Sequence, residues 1–204
     1  MRIVLFTVFA LSIAGSAWAA VLTPPQSGYS ATRIVNAGGN EISGKVYAQD
    51  QNERWEMTVQ GMRQISILQH KSGRAYLYMP DMNMAMSVNT ADAAKYGVSE
   101  IFTGIEAEEA GTDVVNGEQT KRYRIAANEQ NRNTETMVWL TDDGIPVKVE
   151  GSSPQGPFSM TLEDLKRGPQ DASLFKLPDG VTPMTMPAGL PDMIQSGRMP
   201  GMPQ

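Results

Sequence analysis

The chain has 204 residues, with 17 Lys and Arg against 22 Asp and Glu, a formal charge of −5, one histidine and no cysteine. This acidity excludes the basic footprint that nucleic-acid binding requires, and the missing thiols exclude disulfides, cysteine nucleophiles and thiolate metal sites. A chain of this length without disulfides must stand on a hydrophobic core alone, and one domain is its natural organisation.

Met1 and Arg2 open an apolar run from Ile3 to Ala14, which ends in Gly15, Ser16, Ala17, Trp18 and Ala19. A basic start, an apolar stretch too short to span a bilayer comfortably and small residues at Ala17 and Ala19 predict a signal peptide, residues 1–19, cut after Ala19. Losing Arg2 makes the mature chain more acidic still. No cysteine follows to carry a lipid anchor, and no later stretch is apolar and long enough to be a transmembrane segment, so a free periplasmic protein is expected.

The body of the chain alternates with period two. Tyr29 to Val35 and Ile42 to Gln49 read as strands around the turn residues Ala37, Gly38, Gly39 and Asn40. Arg54 to Val59 places Trp55, Met57 and Val59 on one face, and Met62 to Gln69 places Ile65 and Ile67 together. After the turn His70 to Gly73, the strand Arg74 to Met79 sets Ala75, Leu77 and Met79 opposite Tyr76 and Tyr78. Pro80 and Asp81 break the chain before Met84, Met86 and Val88. Asn89 and Thr90 cap a predicted short helix through Asp92, Ala93, Ala94 and Lys95, ended by Gly97.

Asn116-Gly117 is a hairpin signal. Gln119 to Ala126 follows as a strand, then a polar turn from Asn128 to Asn133, then the strand Glu135 to Thr141 carrying Met137 and Trp139. Asp142, Asp143 and Gly144 turn the chain into Ile145 to Glu150, and Phe158 to Leu165 is the last strand. About ten short strands joined by tight turns predict a mainly β fold, a curved and mostly antiparallel sheet with few short helices. From Gly168 onward proline and glycine dominate; no regular element is expected beyond about Leu177, and residues 181–204 read as a flexible tail behind a domain of residues 20–180.

Glu53 to Thr58 with Met62 to Leu68, Gly73 to Pro80, Asn116 to Tyr123, Thr136 to Val149 and Asp171 to Gly180 together carry a family resemblance. The chain resembles the periplasmic proteins of the lipoprotein-carrier (LolA-like) fold, and within that group a poorly characterised family of exported bacterial proteins. The resemblance runs from Tyr29 to Gly180. It implies a strongly curved, unclosed barrel whose concave side is covered by helices around an apolar cavity, which in the carriers takes acyl chains. None of these motifs is catalytic.

Enzyme chemistry is poorly supplied. His70 lies in a turn beside Lys71, Asp142-Asp143-Gly144 is first of all a turn, and there is no phosphate loop, nucleophile elbow or metalloprotease helix. Neither catalysis nor a resident cofactor is expected.

Methionine is the compositional anomaly, at 14 residues. Met79, Met82, Met84 and Met86 lie close together, and Met184, Met186, Met193, Met199 and Met202 crowd the tail. Three readings stand side by side: core residues in place of leucine, an adaptable apolar surface for a lipid or partner, or soft thioether ligands for copper(I). Tyr76 and Tyr78, if Leu77 faces inward, are displayed for an envelope protein partner.

The reading favoured is a periplasmic binding protein for an acyl chain or another apolar ligand, serving lipid or lipoprotein handling, with a cavity lined by Trp55, Met57, Leu77, Met79, Met137 and Trp139. Its alternatives are a structural or envelope-stress protein with a packed interior and a copper(I) protein using Met79, Met82, Met84 and Met86.

Overall fold

Period-two alternation broken by turn residues folds, in a computed structural model, into one large sheet. The structure describes residues 19–89, 104–127, 135–153 and 156–185. In chain order the strands are β1 (Ala19–Val21), β2 (Tyr29–Ala37), β3 (Asn40–Gln49), β4 (Asn52–Val59), β5 (Met62–Gln69), β6 (Arg74–Met79) and β7 (Met84–Asn89). They continue with β8 (Glu106–Val115), β9 (Glu118–Ile125), β10 (Thr136–Thr141), β11 (Pro146–Ser153), β12 (Gly156–Arg167) and β13 (Met184–Thr185). The helix expected over Asp92 to Lys95, the turn from Asn128 to Asn133 and residues 186–204 of the tail lie outside the described residues.

The 13 strands form a single sheet in the order β1-β8-β9-β10-β11-β12-β2-β3-β4-β5-β6-β7-β13. It consists of two meanders, β2 to β7 and β8 to β12, joined where β12 pairs with β2. Every pairing is antiparallel except that of β13 with β7. The outermost strands β1 and β13 do not meet, so the barrel is unclosed. The tail residues Met184 and Thr185, read from the sequence as unattached, pair with Met86 and Ser87 and cover the edge of β7. A two-residue strand carries too little periodicity to register in sequence; the neighbouring edge's unpaired backbone groups hold it.

Turn chemistry sets the hairpins. Asn116 and Gly117 both have positive φ, 49° and 85°, the geometry whose twist matches the flanking strands. Register shifts interrupt β8 between Glu109 and Thr112, β10 between Trp139 and Leu140, and β12 between Glu163 and Lys166. Each irregularity bends the sheet locally. At Gly44 an added Cβ would meet the backbone oxygen of Glu56 at 2.0 Å, so only glycine allows β3 and β4 their close approach.

The bend is measurable. A flat sheet would hold β9 and β12, three strands apart, roughly 14 Å from each other. Instead the β8–β9 hairpin reaches β12: Asn116 Nδ2 donates to the Leu162 carbonyl at 2.8 Å, and Arg167 grips Glu118 with two hydrogen bonds of 3.0 and 2.8 Å.

Three apolar clusters result. The largest gathers Tyr29, Val46, Trp55, Trp139, Ile145 and Leu162 with others. In the second, Leu22 packs on Ile125, Val138, Leu140 and Val149, held by backbone hydrogen bonds from Leu22 to Ile105 and from Gly104 back to Leu22. The third lies under a C-terminal strap. After β12 the chain crosses the sheet through hydrogen bonds to Gln49, Arg54 and Gln69 and makes a 3-10 turn, Ala172–Phe175. Phe175 is buried against Ile65, Ile67, Tyr78 and Ala85, with Tyr76 alongside. The tyrosines expected to be displayed are therefore covered by the chain's own strap: Tyr78 is buried and Tyr76 half-buried. Both faces of β5 are covered, so Ser66 and Leu68 are buried as well as Ile65 and Ile67.

Candidate functional site

Paired residues share a face of the sheet, which places the expected cavity residues by register alone. Trp55 lies opposite Ser66, Ser66 opposite Leu77, and Leu77 opposite Met86. Met57 lies opposite Gln64 on the same face, and Met79 opposite Met84. Trp55 and Trp139 are buried in the same cluster, against which Met57 and Met137 pack half-buried. Leu77 and Met79 sit outside that cluster, half-buried on β6. The six residues thus divide into four in or against a packed core and two on an apolar face that continues to the sheet edge.

Trp139 is already engaged. Its Nε1 donates to Asp113 at 3.2 Å, and the Lys148 ammonium lies 4.5 Å from its ring centre. The two hydrogen bonds Asp113 accepts, from the Val114 amide and then from Trp139, hold its carboxyl below the usual carboxylate range. The face of β10 that carries Met137 and Trp139 also carries Arg124 and Arg122 on the paired strand β9. This part of the expected lining is mixed rather than purely apolar.

The core also holds an ion pair. Arg33 on β2 and Glu53 on β4 form two hydrogen bonds of 2.7 and 2.6 Å, with side chains only 6% and 9% exposed. Trp55 stacks on this guanidinium at 5.5 Å. Burial disfavours the charge on Arg33, but the Glu53 carboxylate outweighs it and keeps the guanidinium protonated more firmly than in water. Burial first, and then Glu53, push the neighbouring Tyr29 hydroxyl far up. Two donors in this group, Arg33 Nε and Trp55 Nε1, have no partner. The signal for the pair was present: Arg33 is in phase with Tyr29 and Ala31, and Glu53 with Trp55, so alternation put two opposite charges on inward positions.

The remaining candidates are ordinary. His70 is exposed in a 3-10 turn, His70–Ser72. Asp142 is an exposed turn residue, while Asp143 accepts from Arg167 and Thr141. Partial burial opposes ionisation of Asp143, yet those hydrogen bonds and the Arg167 charge hold its carboxyl below the ordinary value. Among the described residues no group of three or more His, Asp or Glu could hold a metal ion. No helix of those residues is long and apolar enough to cross a membrane. An open depression of about 460 Å³ lies elsewhere, against Asn36, Glu150, Pro157 and Phe158, and includes none of the expected cavity residues.

The methionine set is redrawn by the register. Met82 ends a 3-10 turn, Pro80–Met82, and is 48% exposed, so it does not share the strand with Met84 and Met86. Met79 is paired with Met84, and Met184 with Met86.

No protein-family model and no curated protein sequence matches the chain. Among solved structures it is similar to an uncharacterized conserved protein from Thermus thermophilus, at 13% identity and TM-score 0.54, over 78% of this chain and 91% of that one. It is also similar to a chain of the Pseudomonas aeruginosa MucA/MucB complex, at 12% identity and TM-score 0.48, over 79% of this chain and 59% of that one. A putative outer membrane lipoprotein-sorting protein domain from Vibrio parahaemolyticus is similar at 11% identity and TM-score 0.41, over 72% of this chain and 89% of that one. The likeness to the Thermus thermophilus protein is one of fold alone.

Proposed function

We propose that this is a non-enzymatic, exported binding protein of the periplasm that takes an acyl chain, free or carried on a lipid or lipoprotein, along the face bearing Leu77 and Met79. The observation that supports it is the continuity of that face: from buried Trp55 it runs through Leu77 to Met86, and alongside through Met57 and the pair Met79 and Met84, from packed core to half-exposed edge. Such a surface suits a flexible tail, because each buried CH₂ contributes about 0.8 kcal/mol and thioethers follow a bent chain without specifying one shape. A second reading, a structural or envelope-stress protein that meets an envelope protein partner, is favoured by the packing of Trp55 and Trp139 into one cluster.

Native mass spectrometry of protein purified from its own periplasm, followed by organic extraction, separates the two. The first reading expects a chain starting at Ala20 and a lipid released on unfolding. It also expects binding of a fluorescent fatty-acid analogue that weakens on the order of tenfold in Leu77→Asp with Met79→Asp. A ligand-free mass together with no binding of the analogue by the wild type overturns it in favour of the structural role.

A further inference from the structure

The β6–β7–β13 end of the sheet assembles a group of thioethers on one face. Met84 and Met86 are two positions apart on β7 and project to the same face, roughly 7 Å from each other. Met79 stands directly across from Met84 on one side, and Met184 directly across from Met86 on the other. Directly opposed residues bring their Cβ atoms to about 5 Å, and each methionine sulfur moves on three rotatable bonds beyond that. Four sulfurs on one face therefore have the reach to converge. We infer that Met79, Met84, Met86 and Met184 form a binding site for copper(I).

Three features separate this arrangement from core methionines. Met84 and Met184 are 36% and 54% exposed, where a residue chosen for packing would be covered. The ligands come from three strands, and β13, only two residues long, brings one of the methionines to the edge. The donor set is also selective: neutral thioethers suit a soft monovalent ion and poorly suit zinc, magnesium or calcium, and no harder cluster competes among the described residues. In a chain without cysteine, thioether is the soft donor available. Only coordination is proposed, with no change in the oxidation state of the ion.

The test is anaerobic titration of the mature chain with copper(I) against a chromophoric competing chelator. One equivalent should bind with a micromolar or tighter Kd, and X-ray absorption should show a shell of sulfur. The triple variant Met84→Leu, Met86→Leu, Met184→Leu keeps the apolar bulk and should bind on the order of a hundredfold more weakly. Met184→Leu alone, at the exposed edge, should weaken binding severalfold without touching the fold, which keeps the test decisive if the triple variant is unstable. Met82→Leu should leave affinity unchanged. Failure of the wild type to take copper from the chelator, an unchanged affinity in Met184→Leu and the triple variant, or loss of binding in Met82→Leu would each overturn the site. Binding of the fatty-acid analogue should survive Met184→Leu, a position outside the proposed acyl face, so failure of the copper site and failure of the acyl reading are told apart.

Discussion

Arg33 and Glu53 are 20 residues apart in sequence and meet across β3, which pairs with both β2 and β4: Arg33 lies opposite Gly44, which has no side chain, and Glu53 lies opposite Ala48, whose side chain is small. Removing one partner leaves the other charge buried without compensation, so Glu53→Gln should destabilise the fold by about 3–5 kcal/mol in urea denaturation. Replacing both, Arg33→Met with Glu53→Leu, should cost much less, because no charge is left in the core. Tyr29, beside the pair, has its hydroxyl pKa raised above the ordinary 10.0. Its contribution to stability is complete below that value and is lost as pH rises through the folded-state value, because the unfolded chain releases the proton first. Denaturation at pH 9, 10 and 11 should show a smaller alkaline loss of stability in Tyr29→Phe than in the wild type. Equal slopes would mean that the hydroxyl is not shielded.

At the scale of elements, the C-terminal strap is the part most dependent on a few contacts. Asp171 caps its 3-10 turn by accepting from the Ser173 amide at 2.8 Å, and the Leu174 and Phe175 carbonyls accept from Arg54 and Gln69. These hydrogen bonds position one apolar anchor, Phe175, which is 4% exposed. Phe175→Ala should cost about 3–5 kcal/mol by leaving a cavity over Ile65 and Ile67. It should also raise hydrogen exchange in β5 and β6 before the rest of the sheet. A uniform rise would show that the strap is not a separate cover.

Over the described residues the molecule is a long ribbon made compact by bends, with no helix of seven or more residues to form a second layer. Its two meanders share the β12–β2 seam, and the Arg167 guanidinium ties three places near one end of it, donating to Glu118 at the start of β9 and to Asp143 in the β10–β11 turn from the end of β12. The roll that buries Trp55 and Trp139 in one cluster leaves the β6–β7 edge half-exposed. Core and candidate binding face are successive parts of one surface. The register shifts lie in β8, β10 and β12, while β4 to β7, which carry that face, pair without one.

Strands whose side chains alternate, such as Arg54 to Val59 and Arg74 to Met79, were legible from local pattern, as was the Asn116-Gly117 turn, because period and turn chemistry are properties of neighbouring residues. β8 was not: Glu106–Val115 is mostly polar and exposed, and it is a strand because β1 and β9 pair with its backbone. The same holds for β13, and for the cover over Tyr76 and Tyr78, which comes from residues about a hundred positions away. Inward phase could be read for Trp55 and Leu77 alike, but not that one would be sealed in the core and the other left half-open. By itself the sequence determined strand, turn and phase. Tertiary structure alone decided the extent of burial, the pairing of Arg33 with Glu53 and the meeting of Met86 with Met184, because each depends on which distant backbone supplies the neighbouring hydrogen bonds.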